Sequence, residues 1–290
     1  MVVVTSLFSP FILNDVLVLV LTPVLVSYSK ETGADVAPLL VAEITFTNIA
    51  SSLTPIGNPQ NLLLWQGSGV SAGEFVAGTW LRLLVSGGIA AALLFIFRRS
   101  GGRREKPLAT VRTWGPAEYL VVVVTVVFGS DLLGYPNYVA LRLAFVLGFA
   151  FTFRSIGSLA KEYDAKGLLI LCSLVGVVAL AGLLLASTLS PLVSPAASGV
   201  EPYTGEFFGL VSAVISNVPA TQLVLSTSRV APHTAPILAV DAGLAGNIDP
   251  ISSLADLLAL LTARRSGAST RRAILLQLVV GLAAFLPALV

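Results

Sequence analysis

An all-α integral membrane fold is predicted by three observations: long apolar runs, almost no charge inside them, and basic residues gathered in a few intervening loops. The 290-residue chain is 56% hydrophobic and 11% charged, whereas a soluble domain carries about 25% charged residues. Runs such as 119–128 and 168–186 offer water almost nothing to solvate, and apolar stretches of about 18 residues or more read as membrane spans. The remaining composition excludes other classes. One cysteine, Cys172, and one histidine, His233, allow neither an internal disulfide nor a Cys/His metal cluster. A net charge of +2 is too small to attract nucleic acid. Residues 1–15 have no basic stretch and no small-residue cleavage site, so they do not read as a signal peptide. The expected location is a cell membrane, crossed many times.

Segments 38–65, 75–97, 117–134, 138–153, 167–190, 236–262 and 272–290 are predicted to cross the bilayer. Most of the 17 basic residues fall at Lys30, between Arg98 and Arg112, at Arg154, Lys161 and Lys166, and between Arg264 and Arg272. Basic loops face the cytoplasm, which places 66–74, 129–137 and 191–205 outside. That orientation holds only if 206–227 enters and leaves on one face. Its centre, Ser216-Asn217-Val218-Pro219, suits a turn, and two arms of roughly 16 Å reach the middle of a ~30 Å core. Segment 206–227 is therefore predicted to be a re-entrant hairpin. By analogy, 2–27 is a second one with Asn14 and Asp15 at its tip.

Each hairpin precedes an overlong apolar segment. As one helix, 38–65 would measure roughly 42 Å, more than a bilayer needs. Both 38–65 and 236–262 carry Pro, Gly and Asn near their middles, which predicts helices broken at membrane depth. The two align: PLLVAEITFTNI from Pro38 matches PILAVDAGLAGNI from Pro236, pairing Glu43 with Asp241 and, across a gap, Asn48 with Asn247. The hairpins enter from opposite faces, so the repeats are inverted. Inverted repeats with broken helices meeting at the midplane are a secondary-transporter architecture. Lipid cannot satisfy freed backbone groups, so such breaks persist where protein or water covers them, and their carbonyls can hold a cation. The expected organisation is a first repeat at 1–97, a basic cytoplasmic linker at 98–116 and a second repeat at 117–290. Three scaffold helices precede the second hairpin and none precedes the first. The first-repeat scaffold is thus expected to be missing, through a late start codon, a companion polypeptide or a degenerate gene.

The stretches NDVLVLVLTPVLV (Asn14–Val26), AEITFTNIASSLTPIGNPQN (Ala42–Asn61) and SNVPATQLVLS (Ser216–Ser226) resemble the ion transporter superfamily. That superfamily contains arsenite efflux pumps, one type of sodium/proton antiporter, and citrate and dicarboxylate transporters. The resemblance implies a substrate and ion site lined by Asn14, Asp15, Asn48, Thr54, Asn58, Ser216, Asn217, Asn247 and Asp249. It implies a secondary transporter, not an enzyme, moving small inorganic or organic anions coupled to protons or sodium. Arsenite or antimonite efflux is one candidate; the break at 247–258 is shorter than in typical arsenite pumps, and Asp249 and Asp256 stand where threonines are expected. No cofactor or resident metal is implied beyond a transported sodium ion. The partners are the transported ion, its coupling cation, the lipid bilayer, and a homodimer or companion chain.

Alternatives stand beside this reading. Sodium/proton exchange is the main rival. From another class, Asp15 and Asp249 could form an intramembrane aspartyl protease, which needs two carboxylates sharing a site; an inactive fragment is a third alternative. Asp15 reads either as an ion carboxylate or as a cap on the following helix. Glu43 and Asp241 read equally as site residues or interface residues. Asp256 reads as the partner of a basic group near the inner face, and Arg82 and Arg142 as snorkelling side chains.

Overall fold

The computed structural model describes residues 1–97 and 204–289, with isolated positions between them. The predicted spans at 117–134, 138–153 and 167–190, the linker at 98–116, the loop at 191–203 and Cys172 lie outside the described residues, apart from those isolated positions. All regular structure among the described residues is helical.

The first half contains α1 (Val2–Phe8), α2 (Asn14–Thr32), α3 (Val36–Ser51), α4 (Pro59–Ser68) and α5 (Ala72–Phe97). The second contains α6 (Thr204–Ile215), α7 (Asn217–Thr227), α8 (Ala235–Ala245), α9 (Leu254–Arg265) and α10 (Arg271–Phe285), followed by a 3-10 turn, Leu286–Leu289. Local chemistry sets the boundaries. Gly33 closes α2 in the left-handed conformation, φ 72°, which costs glycine no Cβ clash. Asp35 caps α3 by accepting from the Ala37 N–H at 3.1 Å. Asn58 caps α4 through the Asn61 N–H at 2.9 Å, with Pro59 in the first turn, where it forfeits no helical hydrogen bond.

Each overlong apolar segment is two helices joined by a non-helical link. Residues 52–58 separate α3 from α4, and residues 246–253 separate α8 from α9. The links avoid orphaned backbone by recruiting side chains. Asn61 Nδ2 donates to the carbonyls of Ser51 at 3.2 Å and Thr54 at 2.8 Å, and the Thr79 hydroxyl donates to that of Leu53 at 3.1 Å. In the second link, the Ser252 hydroxyl donates to the Gly246 carbonyl at 2.9 Å.

Helix α3 packs against α1, α2, α5, α8, α9 and α10, while α8 packs against α3, α4, α5, α6 and α10. One apolar cluster gathers residues of α2, α3, α5, α9 and α10, including Val18, Leu40, Ile44 and Val280. A second gathers Trp65, Phe75, Phe208 and Leu223 with the α4–α7 side of the molecule. They meet at α8, whose Leu244 belongs to the first and Leu238 to the second. The outward faces are apolar: Val20 on α2, Leu84 and Ile96 on α5, and Leu275 on α10 are all more than half exposed. Glu43, Asn58, Asp241, Asn247, Asp256 and Gln277 are fully buried. Apolar outside and polar inside is the reverse of a water-facing protein and suits lipid. Helices Ala72–Phe97 and Arg271–Leu289 are long and apolar enough to cross a bilayer; Val36–Ser51 and Ala235–Ala245 are apolar but shorter.

Candidate functional site

Two helix–turn–helix tips dock onto the two links. The turn between α1 and α2 brings the Asn14 N–H to the Gly57 carbonyl at 3.0 Å, and the Thr54 hydroxyl donates to the Pro10 carbonyl. The turn between α6 and α7 brings the Asn217 N–H to the Ser252 carbonyl at 3.2 Å. The contact has the same form in both halves: the asparagine at the head of a helix donates its backbone N–H to a carbonyl in its own half's broken segment. Ser216 makes its turn with φ 77° and ψ 151°, and it is the one non-glycine residue with positive φ among the described residues.

Asn48, near the end of α3, is the hub. Its Oδ1 accepts from Asn14 Nδ2 at 3.4 Å and from the Ser253 hydroxyl at 3.2 Å. Its Nδ2 donates to Asn247 Oδ1 at 3.2 Å and to Asp256 Oδ1 at 2.7 Å. One side chain thus joins the first tip to the second link. The far side of Asp256 meets Gln277 of α10, with 2.5 Å between Nε2 and Oδ2. Helix α10 comes this close because residue 281 is glycine; a Cβ there would overlap the Asn247 carbonyl.

Asn217 makes a second cluster. Its amide nitrogen, with two hydrogens, faces three acceptors, the Ser252 carbonyl at 2.9 Å, the Ala242 carbonyl at 3.1 Å and Ser212 Oγ at 2.9 Å. Its oxygen accepts from Gln60 Nε2 of the first half at 3.2 Å. An amide's two ends are told apart by such partners.

The sequence-predicted residues divide accordingly. Asn14, Asn48 and Asn247 come together in the first cluster. Asn217 lies in the second, joined to the first through the adjacent Ser252 and Ser253. Thr54, Asn58 and Ser216 shape the links and turn. Asp15, half-buried, follows Asn14 with its N–H on Asn14 Oδ1 at 2.9 Å; α2 has no side-chain cap, so Asp15 does not cap it. Asp249 stands apart, its Oδ1 accepting from the N–H groups of Ile251 at 2.7 Å and Ser252 at 3.0 Å. No hydrogen bond joins Asp15 to Asp249, so the carboxylate pair of a protease is not assembled among the described residues.

Two readings are corrected. Asp256 pairs with the amides of Asn48 and Gln277, not with a basic group, because the first turn of α9 points it into the centre. Arg82 is not simply a snorkelling side chain: its Nη1 lies 3.6 Å from Asp241 Oδ1, with Asp241 fully buried. Glu43 is also fully buried, accepting from the Thr22 hydroxyl at 2.9 Å. Both acids are enclosed by the protein. Gln60, Gln277 and Ser253 join the site without a sequence signal, since an isolated amide or hydroxyl in an apolar helix has no telling spacing.

A helical chain with apolar outer faces, two broken segments and a buried amide–carboxylate centre has the makings of a membrane transporter. The citrate transporter family (CitMHS) matches residues 1–251, and the chain belongs to that family. Among relatives, the inner membrane protein YbiR of Escherichia coli is 39% identical over 77 residues, 27% of this chain and 21% of that protein. The silicon efflux transporter LSI3 of Oryza sativa subsp. japonica is 39% identical over 92 residues, 32% of this chain and 19% of that one. An uncharacterized transporter of Mycobacterium tuberculosis is 27% identical over 300 aligned residues, 92% of this chain and 69% of its own length. The chain thus matches about a fifth of the length of the first two.

Proposed function

We infer that the chain is a multi-pass secondary transporter of a cell membrane, built from two inverted repeats whose re-entrant tips and broken helices enclose the transport site. The carrying observation is the matched docking of Asn14 N–H on Gly57 and Asn217 N–H on Ser252. Two short helix pairs holding two links in the same way, with Asn48 bridging them, form a centre with freed backbone and few fixed charges, as inverted-repeat transporters have at the bilayer midplane. Asn14, Asp15, Asn48, Thr54, Asn58, Ser216, Asn217, Asn247 and Asp249 line or shape it.

The substrate is a small oxyacid or its anion, coupled to protons or sodium. The clusters offer amides, hydroxyls and the Asp256 carboxyl, which suit a hydroxylated solute such as arsenite, antimonite or silicic acid. They fit a multiply charged citrate less well, since Arg82 already faces Asp241. The relative named as a silicon efflux transporter agrees with this class. The test is reconstitution of the full chain in proteoliposomes, with uptake of arsenite, silicic acid and citrate followed under imposed pH or sodium gradients. Gradient-dependent flux of one solute is expected; no flux of any under either gradient overturns the reading.

Sodium/proton antiport is the second reading. It is favoured by Asp256, a fully buried carboxyl held by the side-chain amides of Asn48 and Gln277 with no basic partner among the described residues. In the same liposomes, sodium added without oxyacid would then release internal protons, seen as recovery of a pH-sensitive dye.

A further inference from the structure

We propose that Asp256 carries the coupling proton, and that Gln277 is the positioning residue that turns its amide to match the loaded and unloaded forms. The proposal rests on the transporter reading above and names the residue that couples it.

Six acids are buried or half-buried among the described residues, Asp15, Asp35, Glu43, Asp241, Asp249 and Asp256, and their partners separate them. Asp241 faces Arg82, and Asp35 pairs with Arg272. Asp256 and Glu43 make no ion pair among the described residues, and both are fully buried. An ionised carboxylate without a counter-charge is expensive to bury, so such a group takes up a proton or a cation. Glu43 bonds Thr22 on the neighbouring α2, within the first half. Asp256 instead bonds Asn48, which holds both Asn14 of the first tip and Asn247 of the second link. A change at Asp256 therefore acts directly on the groups that form the transport site.

Charged groups lie on every element packed around it. In the preceding link, Asp249 accepts from backbone N–H groups. On α2, Lys30 donates to the Ser266 carbonyl at 2.6 Å; Asp15 and Glu31 lie on that helix too. On α3 the acid is Glu43. On α10, Arg272 pairs with Asp35 beside Arg271, and at the far end of α9, Arg264 donates to the Thr270 hydroxyl at 2.8 Å beside Arg265.

Gln277 supplies the adaptation. Its amide meets Asp256 Oδ2 across 2.5 Å. As it stands, Gln277 Nε2 donates to the Asp256 carboxyl; turned over, the same amide would offer Oε1 to a protonated carboxyl. On loading, a proton from the aqueous phase bonds to Oδ2, and the neutral acid donates to Gln277 Oε1. On unloading, the O–H bond breaks, the proton returns to water, and the amide rotates so that an Nε2 hydrogen meets the carboxylate. An amide does this because it is a donor at one end and an acceptor at the other. The other end of this amide is buried with no partner among the described residues, so no hydrogen bond resists the rotation.

The test is infrared difference spectroscopy of the purified full chain in lipid, acid against alkaline pH. Wild type should show a carboxylic acid C=O band that is lost as pH rises. D256N should lose this band, E43Q should keep it, and Q277L should move its position because the acid loses its acceptor. A band that persists in D256N, or vanishes in E43Q, overturns the assignment to Asp256; an unmoved band in Q277L overturns the role of Gln277. If D256N does not fold, D256E serves: a shifted band supports the proposal and an unshifted one overturns it. These spectra need no substrate. In liposomes, D256N should lose arsenite accumulation driven by a pH gradient. Absence of flux in the wild type would sink the transporter reading, whereas the infrared bands would still decide whether Asp256 binds the proton.

Discussion

At the scale of single residues, Asn48 joins the first tip to the second link through four side-chain hydrogen bonds. Removing it leaves Asn14, Asn247, Ser253 and Asp256 each short of a partner in a buried setting. Asn48→Ala is expected to lower stability by about 1–3 kcal/mol, the cost of unsatisfied buried polar groups, measured by thermal unfolding in detergent. Asp15→Asn should behave differently. Asp15 caps nothing, so its unfolding temperature should hold while the proton or sodium dependence of transport changes; unchanged ion dependence would remove Asp15 from the site. Asn14, Asn48, Asn217 and Asn247 are legible in the sequence because an asparagine beside a predicted break or turn has an evident task there. Asp256 misleads for a physical reason. Along the chain its nearest basic groups are Arg264 and Arg265, but across the fold the first turn of α9 sets it against Asn48, a residue 208 positions away. Gln277 leaves no trace in the pattern, because one amide in an apolar helix reads the same on a lipid face and a site face.

At the scale of elements, the turns and links carry the strain. Ser216 holds φ 77° and ψ 151°, a region that side chains avoid and glycine tolerates. Ser216→Gly should therefore stabilise the α6–α7 pair by about 1 kcal/mol, since strains of this kind cost about 1–3 kcal/mol and glycine returns part of the gain as entropy. A lower unfolding temperature would show that the hydroxyl matters more than the torsion. Gly281 gives the opposite case. A methyl there overlaps the Asn247 carbonyl, so Gly281→Ala should displace the second link from α10 and lower both stability and flux, with overpacking costing about 1–3 kcal/mol. The helix breaks themselves are readable from Pro55, Gly57 and Pro59 in one segment and Gly246 and Pro250 in the other. What sequence does not reveal is how the freed carbonyls are satisfied. Asn61 does this in the first link and Ser252 in the second, so the chemistry of the two links has diverged even though their tips dock alike.

At the scale of the whole molecule, contacts at two ends hold the halves together. At one end Lys30 meets the Ser266 carbonyl and Asp35 meets Arg272, tying the α2–α3 turn to the α9–α10 turn. At the other, Gly67 of α4 lies against Leu225 of α7. The proposed topology places the first end in the cytoplasm and the second outside. Single cysteines replacing Glu31 or Ser266 should then label from inside, and those replacing Ser71 or Arg229 from outside; labelling of 71 and 229 from opposite faces would overturn it. Between the ends, Arg82 spans from α5 to Asp241 on α8. Arg82→Gln should destabilise by roughly 2 kcal/mol, less than the roughly 3–5 of a fully buried pair because Arg82 is a third exposed. Adding Asp241→Asn should recover most of that loss. This pair also has an electrical meaning. On the proposal that Asp256 carries the coupling proton, and with Asp241 matched by Arg82, the charge that changes in the centre is that of Asp256. The proton-loaded carrier is then electrically silent, and the empty one reorients with a negative charge, on which 100 mV acts with about 2.3 kcal/mol. An inside-negative voltage would hold the empty site facing outward, where protons arrive. Capacitive currents on a supported membrane should accompany reorientation of the empty carrier in the wild type and vanish in Asp256→Asn.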